Sequence, residues 1–157
     1  MTDARATMRI VVVDDHPVFR DGLIAVLAAT PGCHVVGEAS DGAEGVERVD
    51  ALEPDIVIMD LHMPRLNGVE ATRTIVGRHP GIGMLVLTML ENDESVFAAL
   101  RAGARGYLVK GASRDEIRGA VEAVAAGGMF VGPAMARQVL GFFASPADAQ
   151  LRHRSPI

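Results

Sequence analysis

The chain contains little cysteine, little lysine and few aromatic residues. It contains one cysteine, Cys33, no tryptophan, one tyrosine and only 4% aromatic residues. A single cysteine excludes an internal disulfide and a cysteine metal cluster. The formal net charge is −5, which gives no general attraction to nucleic-acid phosphates, since these require clustered Lys and Arg. We therefore do not expect this chain to bind DNA by itself.

Long hydrophobic runs are also missing. No apolar stretch approaches the roughly 20 residues of a membrane-spanning helix, and residues 1–8 include Asp3 and Arg5 but no hydrophobic core of a secretion signal. We expect a cytoplasmic protein that makes no membrane contact. A length of 157 residues, with 49% hydrophobic and 22% charged residues, suits one globular domain with a tail.

Short apolar runs alternate with helical patterns along the chain. The runs at 10–13, 34–36, 56–59, 84–87 and 107–109 are apolar on both faces, which is typical of buried parallel strands. Helix start signals follow them, namely Pro17, Asp41, Asn67 and the capping-box residue Ser113, and a further helix is expected over 92–102. This alternation predicts an α/β fold, a flavodoxin-like doubly wound five-stranded parallel sheet of order 2-1-3-4-5 with helices on both faces.

The pattern changes after Gly127 and Gly128. We expect residues 8–128 to form one domain and residues 129–144 to be an appended short helix rather than a sixth strand–helix unit. The apolar face of that helix would carry Met135, Val139, Leu140 and Phe143. Residues 145–157 are polar, contain two prolines and show no periodicity, so we expect a linker or disordered tail there.

Polar side chains follow four of the five predicted strands. Asp14 and Asp15 follow the first, Asp60 the third, Thr88 the fourth and Lys110 the fifth. Open parallel sheets bind ligands beyond the carboxyl ends of their strands, so these side chains should converge if the first and third strands are neighbours. Clustered carboxylates repel one another, and Mg²⁺ is the hard cation that relieves such repulsion while binding phosphate oxygens.

This set of residues suits phosphoryl transfer. An aspartate carboxylate can attack phosphorus to form an acyl phosphate, and catalysis then consists of positioning and charge neutralisation. We expect Asp60 to be the nucleophile, with Lys110 and Thr88 contacting the phosphoryl oxygens. Each residue has an ordinary alternative, since aspartates cap helices, threonine is common in strands and lysine is usually a solvated charge. Their joint placement at successive strand ends favours the chemical interpretation.

Four segments carry a family resemblance. VVDDHP at 12–17, MDLHMP at 59–64 followed by Asn67 and Gly68, LTM at 87–89 and GARGYLVK at 103–110 resemble the receiver domain of bacterial two-component response regulators. The similarity covers residues 9–126 and is greatest to the subfamily whose receivers precede a LuxR-type helix-turn-helix output domain. The resemblance implies a phosphoacceptor switch rather than an enzyme with an external substrate, one that supports only its own Mg²⁺-dependent phosphorylation and dephosphorylation.

The same resemblance implies roles for individual residues and partners. Asp60 would be the phosphoacceptor and a metal ligand, and Tyr107 the aromatic switch residue, acting with Thr88. A sensor histidine kinase would be the phosphodonor, and phosphorylation would promote a homodimer or output-domain docking that regulates transcription. The Mg²⁺ ligands would be Asp15 directly, Asp14 through water, Asp60 and the backbone carbonyl of His62, while Thr88 and Lys110 would contact the phosphoryl group.

Two departures from the family pattern stand out. Gly111 follows Lys110 where many receivers have a cis proline, so a looser loop is expected there. No helix-turn-helix pattern occurs before Ile157, and we expect the output domain to lie in a region outside this chain. The alternatives are a stand-alone receiver that signals by protein contact, and an aspartate-nucleophile phosphatase, which would usually need an acid at the position of His62.

The histidines give no clear metal-binding pattern. His16 and His62 should lie near the acidic pocket because they directly follow its aspartates. The spacing of the five histidines shows no transition-metal site, however. The phosphodonor histidine is therefore expected on the partner kinase.

Overall fold

The computed structural model describes residues 7–63, 67–89, 94–133, 135–137 and 139–141. Strands and helices alternate through this part of the chain. The strands are β1 (Met8–Val13), β2 (Cys33–Ala39), β3 (Ile56–Asp60), β4 (Gly83–Thr88), β5 (Gly106–Val109) and β6 (Phe130–Val131). The helices are α1 (Pro17–Ala28), α2 (Gly42–Leu52), α3 (Gly68–Arg78), α4 (Ser95–Ala102) and α5 (Arg114–Ala125).

The strands form one parallel sheet of order β2-β1-β3-β4-β5-β6. The predicted α/β class and the order 2-1-3-4-5 are confirmed, but the prediction of five strands is wrong. Phe130 and Val131 pair with Gly106 and Tyr107, which adds β6 at the edge beside β5. The sheet therefore extends beyond residue 128, the predicted domain boundary.

Alternate residues of each strand pack on opposite faces of the sheet. One face buries Val11, Val57 and Val86 in a cluster that α2, α3 and α4 cover through residues such as Val49 and Ile75. The other face buries apolar residues of β1, β3, β4 and β5 against α1 and α5. Because both faces are covered, the inner strands β3 and β4 are apolar until their last residue, whereas the edge strand β2 carries exposed His34 and Glu38.

The helix start signals act as predicted. The Asp41 carboxylate accepts a hydrogen bond from the Glu44 backbone N–H, and Asn67 accepts one from Glu70. Ser113 forms the full capping box of α5. At the other end of a helix, Gly103 ends α4 with φ of 114°, a left-handed conformation that glycine adopts without strain. Residue 92, the predicted start of the fourth helix, lies outside the described residues.

The chain after β6 belongs to the folded core. Residues 133, 135–137 and 139–141 are helical, and Met135 and Val139 lie in the same buried cluster as Tyr107. The expected helix is therefore present in this segment, but the expectation that residues 129–144 are only an appendage is corrected, because they also contain β6 and contribute core residues. Leu140 is 67% exposed, so its predicted place on the apolar face is wrong. Phe143 and residues 145–157 lie outside the described residues.

Among the described helices, none has the length and apolar character needed to cross a membrane.

Candidate functional site

The polar residues at the strand ends come together at one edge of the sheet. Asp60 is the last residue of β3 and Thr88 the last of β4, while Asp14 and Asp15 follow β1 and Lys110 follows β5. Since β1, β3, β4 and β5 are consecutive in the sheet and parallel, their carboxyl ends lie side by side. The predicted convergence is present.

The acidic residues form a compact cluster. One oxygen each from Asp14, Asp15 and Asp60, together with a ring nitrogen of His16, lie within 4.8 Å of one another. The side chain of Asp14 is fully buried and that of Asp60 nearly so, whereas that of Asp15 is 27% exposed. Three carboxylates this close in a partly dry site repel one another, so the cluster favours a bound cation.

Lys110 supplies one positive charge to this cluster. Its Nζ lies 2.9 Å from Asp14 Oδ2 and 3.2 Å from Asp60 Oδ2, and the side chain is only 7% exposed. The Lys110 backbone N–H donates to the Thr88 carbonyl at 2.9 Å, which fixes the lysine to the end of β4. Nζ also lies 4.8 Å from the centre of the Phe19 ring, within range of a cation–π contact.

The Asp60 carboxyl group has an unusual environment. Burial is the main cause that raises its pKa to about 6, and the nearby Asp14 charge acts in the same direction. A hydrogen bond from the His62 backbone N–H to Asp60 Oδ1, at 3.1 Å, opposes this rise, as does Lys110. The group is therefore less acidic than an ordinary aspartate, and a further cation would lower its pKa again.

The loop after β3 is held close to Asp60. The Leu61 N–H donates to the Leu87 carbonyl at 3.0 Å and the Gly68 N–H donates to the Leu61 carbonyl at 3.1 Å. A Cβ on Gly68 would lie 2.1 Å from the Asp60 backbone oxygen. Only glycine allows the start of α3 to approach β3 this closely.

Thr88 and Tyr107 lie where the sequence places them, on adjacent strands. Thr88 is buried beside the Asp60 strand end, since Asp60 pairs with Leu87 and Thr88 pairs with Val109. Tyr107 is fully buried and its hydroxyl donates to the Ala104 carbonyl. Burial raises the pKa of the Tyr107 phenol, so it stays protonated as a donor. The structure therefore contains the inward arrangement of Tyr107, and its rotation stays a prediction.

Two residues, Arg20 and His16, contact the aspartates of the pocket in ways that the sequence does not predict. Arg20 donates to the backbone carbonyl of Asp14 at 2.6 Å, a contact with no sequence signal because it joins the first turn of α1 to the end of β1. The Nδ1 atom of His16 lies 3.1 Å from Asp14 Oδ1 and 3.2 Å from Asp15 Oδ1. His16 therefore joins the carboxylates in space, a proximity that the spacing of the histidines in the sequence does not show.

The donor set fits a divalent metal ion. Carboxylate oxygens are the ligands of hard cations, and the buried Asp15 Oδ1 has no hydrogen-bond donor among the described residues beyond the nearby His16 ring. An atom of this kind is costly to bury unless a cation compensates it. His62 is exposed to solvent, and its backbone N–H donates to Asp60 Oδ1.

Comparison with known protein families agrees with this geometry. The family model for the response regulator receiver domain matches residues 10–122. The chain belongs to this family. Receiver domains of this kind are signalling modules rather than conventional enzymes, and the match spans β1 to α5 with all the strand-end residues.

Similar proteins include several transcriptional regulators. The chain is 39% identical over 133 residues to the transcriptional regulatory protein DegU of Brevibacillus brevis, covering 85% of this chain and 56% of DegU. It is 40% identical over 132 residues to the response regulator GacA of Pseudomonas viridiflava, covering 84% of this chain and 62% of GacA. The receiver chain thus spans a little more than half the length of these relatives.

Solved structures show the same fold. A LuxR-family two-component response regulator from Aurantimonas sp. SI85-9A1 has a TM-score of 0.81 at 37% identity, covering 85% of this chain and 96% of that one. The receiver domain of the putative response regulator NarL from Mycobacterium tuberculosis has a TM-score of 0.73 at 36% identity, covering 77% of this chain and 98% of that one.

Proposed function

We propose that this receiver is a phosphorylation switch in which Asp60 accepts a phosphoryl group from a sensor histidine kinase. The observation that carries the proposal is the buried Asp60 carboxylate at the end of β3, with Lys110 Nζ 3.2 Å from its Oδ2 atom and Asp14 beside it. An acidic group in a pocket with a single fixed cation is suited to receiving a phosphoryl group, whose oxygens need compensating positive charge.

The transfer follows from the arrangement of this chain's residues. A carboxylate oxygen of Asp60 attacks phosphorus, the bond from phosphorus to the donor nitrogen breaks, and its electron pair leaves with the donor imidazole. The His62 N–H, which donates to Asp60 Oδ1, orients the nucleophile. Lys110 then pairs with a phosphoryl oxygen, and we expect the Thr88 hydroxyl to donate to another. Hydrolysis of the resulting acyl phosphate regenerates Asp60 and inorganic phosphate.

A divalent cation completes the proposed site. Asp15 and Asp60 would hold Mg²⁺ directly, Asp14 through water, and the His62 carbonyl would be a further ligand. When bound, the cation would neutralise the carboxylates and the incoming phosphoryl oxygens. The Asp15 Oδ1 atom, which has no hydrogen-bond donor near it in the described part of the chain except the His16 ring, and the cluster within 4.8 Å support this assignment.

We further propose that the signal regulates transcription through a region outside this chain. DegU is a transcriptional regulatory protein, and a solved structure similar to this chain is that of an RcsB–DNA complex. Phosphorylation would act in the cytoplasm by changing homodimerisation or output-domain docking at α4, β5 and α5, the elements around Thr88 and Tyr107.

Labelling with a small phosphodonor tests the proposal. The parent should incorporate one phosphoryl group in the presence of Mg²⁺ and much less after chelation. Asp60→Asn should abolish incorporation, and Asp15→Asn should slow it by weakening metal binding. Asp21→Asn is a matched control, because Asp21 is an exposed aspartate on α1 away from the cluster. Undiminished labelling of Asp60→Asn would contradict the assignment.

A further inference from the structure

We infer that His16 is a nitrogen ligand of the divalent cation, so that the site binds Mn²⁺ and similar imidazole-accepting metals better than carboxylates alone would. The inference rests on the proposed function, since it assigns an additional ligand to the same metal site. It concerns the side chain of His16, which lies beyond the two aspartates that follow β1.

The first observation is the position of one ring nitrogen. His16 Nδ1 lies 3.1 Å from Asp14 Oδ1, 3.2 Å from Asp15 Oδ1 and 3.8 Å from Asp60 Oδ2. Ligand atoms around one metal ion, each about 2.0–2.3 Å from it, are separated by distances of this size. Small adjustments of this nitrogen and the carboxylates would therefore bring them around one ion.

The second observation concerns how the backbone holds His16. The residue is the N-cap of α1 with extended φ and ψ of −99° and 103°, and Pro17 follows it in the first turn. Its side chain makes no capping hydrogen bond to the helix. Its backbone N–H donates to Asp14 Oδ1 at 2.8 Å, so the same turn orients both the carboxylate and the imidazole. An imidazole ring that makes no capping hydrogen bond and lies beside carboxylates is available to bind a metal ion.

The third observation is an electrostatic conflict at Nδ1. Lys110 Nζ lies 2.9 Å from this nitrogen and can only donate, whereas Asp14 Oδ1 lies 3.1 Å from it and can only accept, so no single tautomer of the ring satisfies both contacts. The tautomer with its proton on Nε2 would direct the Nδ1 lone pair toward the oxygens of Asp14 and Asp15, an arrangement that a cation between them would stabilise. Lys110 supplies one charge at this point, and a divalent ion would supply two.

The ligand types then determine which metal is preferred. Mg²⁺ favours oxygen ligands and water, whereas imidazole suits first-row transition metals. A site that adds one imidazole to the carboxylates of Asp15 and Asp60 should therefore shift its preference from Mg²⁺ toward Mn²⁺, which also uses carboxylate ligands.

Pulsed electron paramagnetic resonance of bound Mn²⁺ tests the inference on the whole 157-residue chain without any phosphodonor. The parent should show the nitrogen coupling of a directly bound imidazole, and His16→Gln should lose it. We also expect His16→Gln to lower the Mn²⁺ affinity about tenfold and the Mg²⁺ affinity less than threefold. His34→Gln is a control that removes an exposed histidine on β2.

The outcomes separate this inference from the proposed function. Mn²⁺ that binds to the parent and is lost in Asp15→Asn, but shows no nitrogen coupling, would overturn the role of His16 and leave the carboxylate site intact. Coupling that persists in His16→Gln would overturn it as well, since another histidine would be the ligand. If the parent bound neither Mn²⁺ nor Mg²⁺, both the inference and the proposed metal site would be wrong.

Discussion

At the residue scale, Asp60 shows how the site keeps a reactive carboxylate in a buried position. Burial and the Asp14 charge disfavour its ionised form, while Lys110 and the His62 N–H favour it. The balance leaves the pKa of Asp60 near 6, so the carboxylate is ionised at neutral pH but at a cost to folding. The site is therefore strained electrostatically in a way that a metal ion or a phosphoryl group with its cation can relieve.

This cost predicts a pH-dependent effect of Asp60→Asn. The folded-state pKa lies above the unfolded value of 3.8, so the destabilisation is absent below pH 4 and develops fully as the pH rises above 6. In chelated buffer we expect Asp60→Asn to be more stable than the parent by roughly 1–3 kcal/mol at pH 7.5. The difference should shrink toward zero near pH 4. Urea unfolding at both pH values measures it.

The exposed Asp21 provides the comparison for this prediction. Asp21→Asn should change the free energy of unfolding by less than about 0.5 kcal/mol at either pH. If the parent and Asp60→Asn had equal free energies of unfolding at pH 7.5, the buried carboxylate would not destabilise the folded state.

The residue types of the site could be predicted from sequence, but their contacts could not. The strand-end positions of Asp14, Asp60 and Lys110 follow from short apolar runs that end in polar residues. The contact between Lys110 and Asp14 joins residues 96 positions apart, and it depends on side-chain conformations that periodicity does not determine. The place of His16 among the carboxylates depends in the same way on the turn between β1 and α1.

At the element scale, the close approach of α3 to β3 positions the Asp60 loop. A Cβ on Gly68 would meet the backbone of Asp60 and Leu61 at 2.1 and 2.6 Å. We expect Gly68→Ala to destabilise the fold by about 1–3 kcal/mol and to weaken metal binding, because backbone at the end of β3 must move. Thermal unfolding and metal titration together measure both effects.

Gly77 in the same helix is the matched control. A Cβ there would meet nothing within 4 Å, so Gly77→Ala should be neutral or stabilise the helix by up to about 1 kcal/mol. If both alanine variants behaved alike, the proposed close approach of α3 to β3 would be wrong.

The chain after β6 provides a second test at this scale. Met135 is fully buried in the cluster that contains Tyr107, whereas Leu140 is 67% exposed. We expect Met135→Ala to lower the free energy of unfolding by about 2–4 kcal/mol and Leu140→Ala by less than about 0.5 kcal/mol. Equal small effects would mean that this part of the chain is an appendage after all.

The elements themselves were largely predictable, and β6 shows why one was missed. Short apolar runs, the N-caps Asp41, Asn67 and Ser113, and the helix stop at Gly103 mark the positions of these elements. β6 has only two residues, Phe130 and Val131, too few for a period-two pattern, and its pairing with β5 is a tertiary contact. The burial of Met135 and Val139 depends on that pairing.

At the scale of the whole molecule, Thr88 and Tyr107 connect the pocket to the outer edge of the sheet. Thr88 ends β4 beside the pocket, Tyr107 lies on the neighbouring strand, and β6 pairs beside Tyr107. A hydrogen bond from Thr88 to a phosphoryl group on Asp60 would change the packing next to β5. The response of the whole molecule would then appear as altered self-association.

Sedimentation with and without BeF₃⁻, a mimic of the phosphoryl group, measures this coupling. The parent should change its association state in BeF₃⁻ and Mg²⁺. Thr88→Ala should lose most of that change while still binding BeF₃⁻ at Asp60. Thr74→Ala, which alters a half-buried threonine whose hydroxyl donates to the Glu70 carbonyl within α3, should respond like the parent. If Thr88→Ala changed its association state in BeF₃⁻ as much as the parent does, Thr88 would not be the residue that transmits the signal.

The central claim is that Asp60 is the residue that becomes phosphorylated. Borohydride reduction of an acyl phosphate converts the modified aspartate to homoserine, which peptide mass spectrometry can locate in the phosphorylated parent chain. We predict homoserine at position 60 alone, only after treatment with phosphodonor and Mg²⁺. Homoserine at position 14 or 15, or a phosphorylated protein with an unchanged residue at position 60, would contradict the account.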